Sequence, residues 1–305
     1  AILIGSPARG ARVRRALADA VRALHVGPTD DPRTVLGPLP EPAAGDALLA
    51  LTELGPGESW LVEPRRLDEE GRLWSPGVRD GVRPGARRPS AGAPVLDLMA
   101  VSDLDEAIAV QNDGSGGTAA GIHSLDPLEV ADWVDRVEAG GLFVNRPITG
   151  AVVRRQPIGG WGASAVGPGA RLGGPNALVP LGSWQDMDRD PLPHILVEGI
   201  SRDPAGVLKR AQVALDFPGF DFVRRAALDD ERWWTAEFGI ARDRGDLEAE
   251  RDVIRYRPAA VTVRLAEGAP MEHLTRLLCA AALTRSVVTI SSALPLPAPL
   301  TETDC

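Results

Sequence analysis

The chain has 305 residues, enough for two ordinary domains, each with its own core. Its 33 basic and 42 acidic residues leave a net charge of −9, which speaks against a non-specific nucleic-acid or membrane-surface partner. Hydrophobic residues make up 44% and charged residues 25%, the balance of a soluble globular protein. Cys279 and Cys305 are the only cysteines, too few for a disulfide framework or a thiolate metal site, and a reducing cytoplasm is the simple expectation. His25, His123, His194 and His273 stand apart without ligand spacing, so no metal is expected. No run approaches the ~18 apolar residues of a membrane span. The opening AILIG is too short for a signal-peptide core.

Taken in order, Ala1 to Gly5 reads as a buried strand. Arg12 to His25 reads as a helix, with Val13, Ala16, Leu17, Ala20, Val21 and Leu24 at helical spacing. Trp60 to Glu63 is a predicted strand, and Gly71 to Gly85 a loop punctuated by Pro76, Gly77, Gly81 and Pro84. Val95 to Val101 returns to strand character. Ser102-Asp103-Leu104-Asp105 resembles a capping box opening a helix through Ala109. Thr118 to His123 is a further strand. Asp126-Pro127-Leu128-Glu129 starts another helix, with Val130, Val134 and Val137 as its buried stripe and Gly140-Gly141 as its stop.

Leu142 to Val144 is a short strand, followed by a turn at Pro147 and a second strand-like run at Ala151 to Val153. After Pro157 the pattern becomes Gly, Pro and small residues for about twenty positions, a length more often found in functional loops than in filler. A plain surface loop is the competing reading. Gly182 to His194 is polar and Pro-containing, a predicted linker. Beyond it, Asp203-Pro204 starts a helix through Leu215, and Asp229 to Phe238 forms another, ended by Gly239. Val261 to Leu265, Met271 to Leu283 and Val287 to Ser292 make a βαβ-like unit. The expected class is α/β, with one domain over 1–181, a linker over 182–198 and a partial second α/β module over 199–305.

Several patterns are rejected. Gly160-Trp161-Gly162-Ala163-Ser164-Ala165 matches G-x-G-x-x-A, but Gly167, Pro168 and Gly169 follow at once where a dinucleotide site needs an amphipathic helix. No phosphate-binding loop, G-x-S-x-G elbow or H-E-x-x-H is present. Cys279 lies in an apolar helical stripe and reads as a small buried hydrophobe, not a nucleophile. Trp233 and Trp234 read as core or interface.

Four ordered boxes carry a specific resemblance: Val144-Asn145-Arg146, Thr149-Gly150-Ala151, Gln156-Pro157-Ile158-Gly159-Gly160 and Gly173-Gly174-Pro175-Asn176. They resemble the C-terminal signature of the aldehyde dehydrogenase superfamily, in the version carried by L-glutamate γ-semialdehyde (1-pyrroline-5-carboxylate) dehydrogenases. Asp31-Pro32 and Gly37-Pro38-Leu39 extend the likeness towards the start. It implies the post-cysteine catalytic domain of that fold, with the nucleophile and the dinucleotide-binding domain expected upstream of Ala1. Residues after 199 are similar, more weakly, to the aldehyde-dehydrogenase-like module of long proline utilisation A proteins.

The resemblance implies that backbone N–H groups at Thr149, Gly150 and Ala151 bind the substrate carboxylate, small side chains letting it approach. It places Ile158 on the aldehyde pocket wall, where the family has Phe. Ser90 takes the position of the family's ribose-binding Glu, in a shortened stretch leading to Pro94, so those two are the implied contacts to NAD. The run Asp113 to Ala120 also departs from the family pattern. The implied partners are the semialdehyde and the upstream dehydrogenase and proline dehydrogenase domains, with homo-oligomerisation left open. The expected activity is NAD-dependent oxidation of the semialdehyde to L-glutamate, with the isolated chain inactive. The alternative is a non-catalytic module for oligomerisation or substrate channelling.

Overall fold

Strand β1 (Ile2–Ile4) enters a four-stranded sheet whose order is β1-β4-β3-β2. The computed structural model describes residues 1–85, 92–114, 116–150, 152, 155–157, 159–165, 174, 176–183, 185, 197–243, 245–293 and 295–297. The chain divides into two units, Ala1–Leu181 and Gly182–Cys305.

In the first unit, β1 is followed by a single turn of helix, α1 (Ser6–Arg9), and by α2 (Ala11–Arg22). Next come α3 (Gly45–Thr52), β2 (Ser59–Val62), β3 (Gly77–Asp80) and β4 (Val95–Val101). Strand β4 runs parallel to both β1 and β3, while β2 is antiparallel to β3. Leu3, Leu17, Ala18, Val21, Val62, Val78 and Leu98 pack the helix onto the sheet.

The buried stripe of α2 is turned slightly from the one its spacing suggests, with Leu17 and Val21 remaining in it. Val13 and Leu24 stay 37% and 39% exposed, and Ala18 is the residue fully covered. A specific ion pair accounts for the rotation: the Arg14 guanidinium forks onto Asp80, Nε to Oδ2 at 2.6 Å and Nη2 to Oδ1 at 3.2 Å.

Strand β3 corrects the expected loop over 71–85. Its four residues, GVRD, have no alternation because Gly77, Val78 and Arg79 are all buried. Gly77 lies against the ring of Pro64, where an added Cβ would come within 2.9 Å of Cδ, so only glycine fits. Arg79 is 2% exposed, and its charge is answered by Asp97 on β4 at 2.8 Å and by the Glu53 carbonyl at 3.3 Å. A buried, satisfied arginine made this strand look polar in the sequence. Helix α3 was also not foreseen; its Ala50 and Leu51 pack against Trp74 and Ala93.

Helix α4 (Leu104–Gly114) runs beyond the expected Ala109. Its start is a reciprocal cap. Asp103 Oδ1 accepts from the Glu106 N–H at 2.9 Å, and Glu106 Oε2 accepts from the Ser102 N–H at 2.8 Å. Strand β5 (Ala119–Ile122), helix α5 (Pro127–Arg136) and strand β6 (Gly141–Val144) form a parallel βαβ unit. Asp126 caps α5 as expected, its Oδ1 accepting from the Leu128 N–H at 2.8 Å. The deepest residue of α5 is Trp133, buried with Val137, Ile108 and Ala120, its indole N–H donating to Gln111 at 2.9 Å.

The second unit holds α6 (Arg202–Ala211), α7 (Phe217–Trp233), a short antiparallel pair β7 (Arg242–Asp243) and β8 (Val253–Ile254), then β9 (Val261–Leu265), α8 (Met271–Thr284) and β10 (Val288–Ser292). Strands β9 and β10 pair in parallel, as the βαβ reading requires. Helix α7 begins twelve residues before the expected Asp229, because Asp216 caps it, accepting from the Gly219 N–H at 2.8 Å, with Pro218 in the first turn. It passes into a π-helical turn over Trp234–Phe238, ended by Gly239. Val207, Leu208, Val223, Ala227 and Cys279 form the core.

Candidate substrate-anchoring turn

The expected anchor grows from the carboxyl end of β6. Asn145, the next residue, takes a left-handed conformation with φ 55°. Its N–H donates to the Ile122 carbonyl at the end of β5 (2.8 Å). Its side-chain amide then imitates a strand partner for Ser124, Nδ2 donating to the Ser124 carbonyl at 2.8 Å and Oδ1 accepting from the Ser124 N–H at 3.0 Å. One side chain thus ties the ends of both strands together and fixes where the chain leaves them. The Arg146 guanidinium lies over the Phe143 ring, 5.7 Å from its centroid.

From that clamp the chain turns outward. Pro147, Ile148, Thr149 and Gly150 are exposed, so the bend is open to solvent and not sealed under side chains. Gly150 is left-handed at φ 77°, with nothing within 4 Å of where a Cβ would stand. The methyl Cγ2 of Ile148 lies 2.7 Å from the Cβ position of Gly121 on β5, so a side chain there would push the bend away. After the bend, the Val152 N–H donates to Gln156 Oε1 at 3.0 Å, and the Gln156 N–H returns to the Val152 carbonyl at 2.7 Å. This is a turn; Ala151 and Val153 of the expected strand-like run lie outside the described residues.

The glycine boxes come back to the same βαβ unit. The Trp161 and Gly140 N–H groups both donate to the Gly117 carbonyl, at 2.9 and 2.8 Å. A Cβ on Gly117 would collide with the Trp161 carbonyl, and one on Gly140 with the Gly159 carbonyl. The Gly159-Gly160 pair is therefore seated by main-chain contact against Gly117 and Gly140. Gly117 belongs to the run over 113–120 that departs from the family pattern, and this contact gives its glycine a packing role. The rejected G-x-G-x-x-A match is a 3-10 turn, Gly162–Ser164, and the next residue, Ala165, is extended.

Thr149 and Gly150 are thus on one exposed bend, while Ala151, Ile158 and Ser90 lie outside the described residues. Pro94 is half-buried, and its carbonyl accepts from the Gly77 N–H at 2.9 Å as part of the sheet. An open cleft of about 430 Å³, lined by Arg9, Val101, Ser102 and Glu106, lies at the opposite end of β4 from Pro94 and includes none of the anticipated residues. Cys279 is 1% exposed, its thiol 3.7 Å from the Pro204 carbonyl, and burial pushes its pKa up to about 12. It is a core residue. The supporting roles of Asn145, Gly121 and Gly140 escaped sequence reasoning, although the Val144-Asn145-Arg146 box and the paired glycines at 116–117, 140–141 and 159–160 were available signals for Asn145 and Gly140.

These features define an α/β chain in which a parallel βαβ unit presents an exposed turn buttressed by a glycine-rich return. The aldehyde dehydrogenase family description matches residues 8–180, more than half of the chain, and the chain belongs to that family of oxidoreductases. A 1-pyrroline-5-carboxylate dehydrogenase from Geobacillus sp. (strain WCH70) is 28% identical over 171 residues, 55% of this chain and 33% of that protein. An N-succinylglutamate 5-semialdehyde dehydrogenase from Chromobacterium violaceum is 36% identical over 155 residues, 48% of this chain and 31% of that protein. The solved structure of proline utilization A from Corynebacterium freiburgense is similar over 97% of this chain and 29% of that one, with 39% identity and a TM-score of 0.82. The chain therefore spans about a third of the length of the curated relatives it matches. The likeness to the Corynebacterium freiburgense structure reaches through the second unit as well as the first.

Proposed function

We propose that the chain supplies the substrate-anchoring part of an NAD-dependent L-glutamate γ-semialdehyde dehydrogenase, within a polypeptide of the proline utilisation A kind. The observation that carries this reading is the exposed left-handed bend at Thr149-Gly150, clamped by Asn145 and free of any overlying side chain. Main-chain donors on such a bend suit a carboxylate, whose oxygens accept several N–H groups at once. The names of the curated relatives, both dehydrogenases of carboxylate-bearing semialdehydes or their cyclic form, support the same substrate class.

The chemistry of the family needs a thiolate, and Cys279 cannot serve, being buried with its thiol pushed up to about 12. NAD is the hydride acceptor in this reading, held mainly by residues other than those described, since no carboxylate occupies the Ser90 position. By itself the chain oxidises nothing. The test is a chimera in which residues 1–305 replace the matching segment of the Corynebacterium freiburgense protein. NADH formation from 1-pyrroline-5-carboxylate by the chimera, and none by the isolated chain, supports the proposal. A chimera that assembles normally but produces no NADH favours the alternative, a non-catalytic module for oligomerisation or channelling, to which Ser90 in place of a Glu also points.

A further inference from the structure

Between Glu138 and Asp186 the sequence has no acidic residue, where the overall content of 42 in 305 would put about six. The same stretch carries Arg146, Arg154, Arg155 and Arg171. It opens just before β6 and takes in both the anchoring bend and the glycine boxes. In a chain of net charge −9 this is a local inversion of charge, and it surrounds the segment read above as a carboxylate anchor.

The hydrogen bonds of the bend divide its donors into two sets. Among the described residues, the N–H groups of Thr149 and Gly150 find no acceptor. The Val152 N–H, two residues on, is taken by Gln156 Oε1 at 3.0 Å, while the Gln156 N–H closes the turn onto the Val152 carbonyl at 2.7 Å. The bend is thus held by neutral carboxamides at both ends, Asn145 where it leaves β6 and Gln156 where it closes. A carboxylate is the stronger acceptor for a main-chain N–H. The chain uses one at other turns: Asp68 for Gly71 and Leu73 at 2.8 and 2.9 Å, Asp216 for Gly219 at 2.8 Å, and Asp243 for Gly245 at 3.0 Å. Beside the Asn145 clamp, Glu129 is engaged by the Ser124 hydroxyl at 2.6 Å and Asp126 by the Leu128 N–H at 2.8 Å. Stability alone would favour Glu at position 156; a bend that receives an anion would not.

We propose that Gln156 is a positioning residue for the carboxylate anchor. It takes up the Val152 N–H and fixes the exit of the bend, so that the Thr149 and Gly150 donors stay free, and it does so without adding a negative charge. The inference rests on the anchoring role proposed above and adds to it a residue that does not touch the substrate. Val152 lies within about 7 Å of Gly150 along the chain, so a charge at the end of side chain 156 acts on a bound carboxylate over roughly 8 Å. At an effective dielectric constant of about 20 to 80, that repulsion raises KM by about two- to thirtyfold. Arg155 adjoins the position and draws the effect towards the lower part of that range.

Two measurements test this. In the isolated chain, protection of the amide against hydrogen exchange, relative to the unstructured rate, should be at least about tenfold greater at Val152 than at Gly150. Gln156→Met should remove that difference, and Gln156→Glu, which keeps an acceptor, should preserve it. In the chimera, Gln156→Glu should raise KM for the semialdehyde at least about threefold, less at high salt, with kcat and the KM for pentanal within about twofold. Gln156→Met should raise the same KM about two- to tenfold, the worth of one neutral hydrogen bond. Val152 no better protected than Gly150, a semialdehyde KM untouched by Gln156→Glu, or a KM raised equally for pentanal overturns the proposal. If Gly150→Val raises KM and Gln156→Glu does not, the anchor stands and the role of Gln156 falls; a parent chimera that forms no NADH removes both.

Discussion

Replacing Asn145 by Ala removes the clamp on which the bend depends. Two hydrogen bonds to the Ser124 backbone, at 2.8 and 3.0 Å, disappear, and each is worth about 0.5–1.5 kcal/mol net. The residue is also left-handed, at φ 55°, where asparagine is tolerated and alanine costs about 1 kcal/mol more. Together the loss is about 2–4 kcal/mol. For a unit of this size each kcal/mol is worth about 2–4 °C, so the melting transition of the first unit should fall by roughly 4–16 °C. Asn145→Gly separates the two contributions: it relieves the backbone but still loses both bonds, and should cost about 1–3 kcal/mol. Urea unfolding of the three proteins, followed by circular dichroism, measures this order. Asn145→Ala within about 0.5 kcal/mol of the parent, or less damaging than Asn145→Gly, would refute the clamp.

Gly140→Ala should be among the most damaging changes in the first unit, about 2–4 kcal/mol by denaturant titration, since its Cβ would strike the rigid Gly159 carbonyl. Asp103 is held below the usual carboxylate range by the Glu106 N–H and the Ser102 hydroxyl. Its contribution is therefore complete above the unfolded value of about 4 and is lost as pH falls through the lower folded value. The stability gap between the parent and Asp103→Ala should accordingly be constant from pH 7 to 5 and shrink below pH 4; a gap that widens on acidification would contradict the cap. Cys279 should resist iodoacetamide in the native chain and react after unfolding, as read by peptide mass mapping, because burial pushes its thiol up to about 12.

Much of the framework was readable from periodicity. Strands β5, β6 and β9 and helix α8 are short apolar runs between clear breakers, and Asp126 announced α5 through its Pro127. Strand β3 was hidden because its glycine is there to clear Pro64 and its arginine to meet Asp97, both contacts between distant parts of the chain. The early start of α7 was hidden because Asp216 and Pro218 flank a phenylalanine, and the apolar pattern only becomes regular later. The site divides in the same way. The residues of the bend were legible as words, but its support was not. Gly121, Gly117 and Gly140 each matter through a contact with a residue distant in the chain, Ile148, Trp161 and Gly159 respectively, and no local pattern encodes such a meeting.

The most direct test of the anchoring turn is the Michaelis constant for the semialdehyde in the chimera carrying Gly150→Val. A β-branched residue at φ 77° should displace the donors of the bend without touching any neighbouring side chain. Loss of a charged hydrogen bond of about 1.5–3 kcal/mol raises KM by roughly ten- to a hundredfold, while KM for an uncharged aldehyde of similar length stays within about twofold. A variant that retains the parental KM for the semialdehyde would contradict the account.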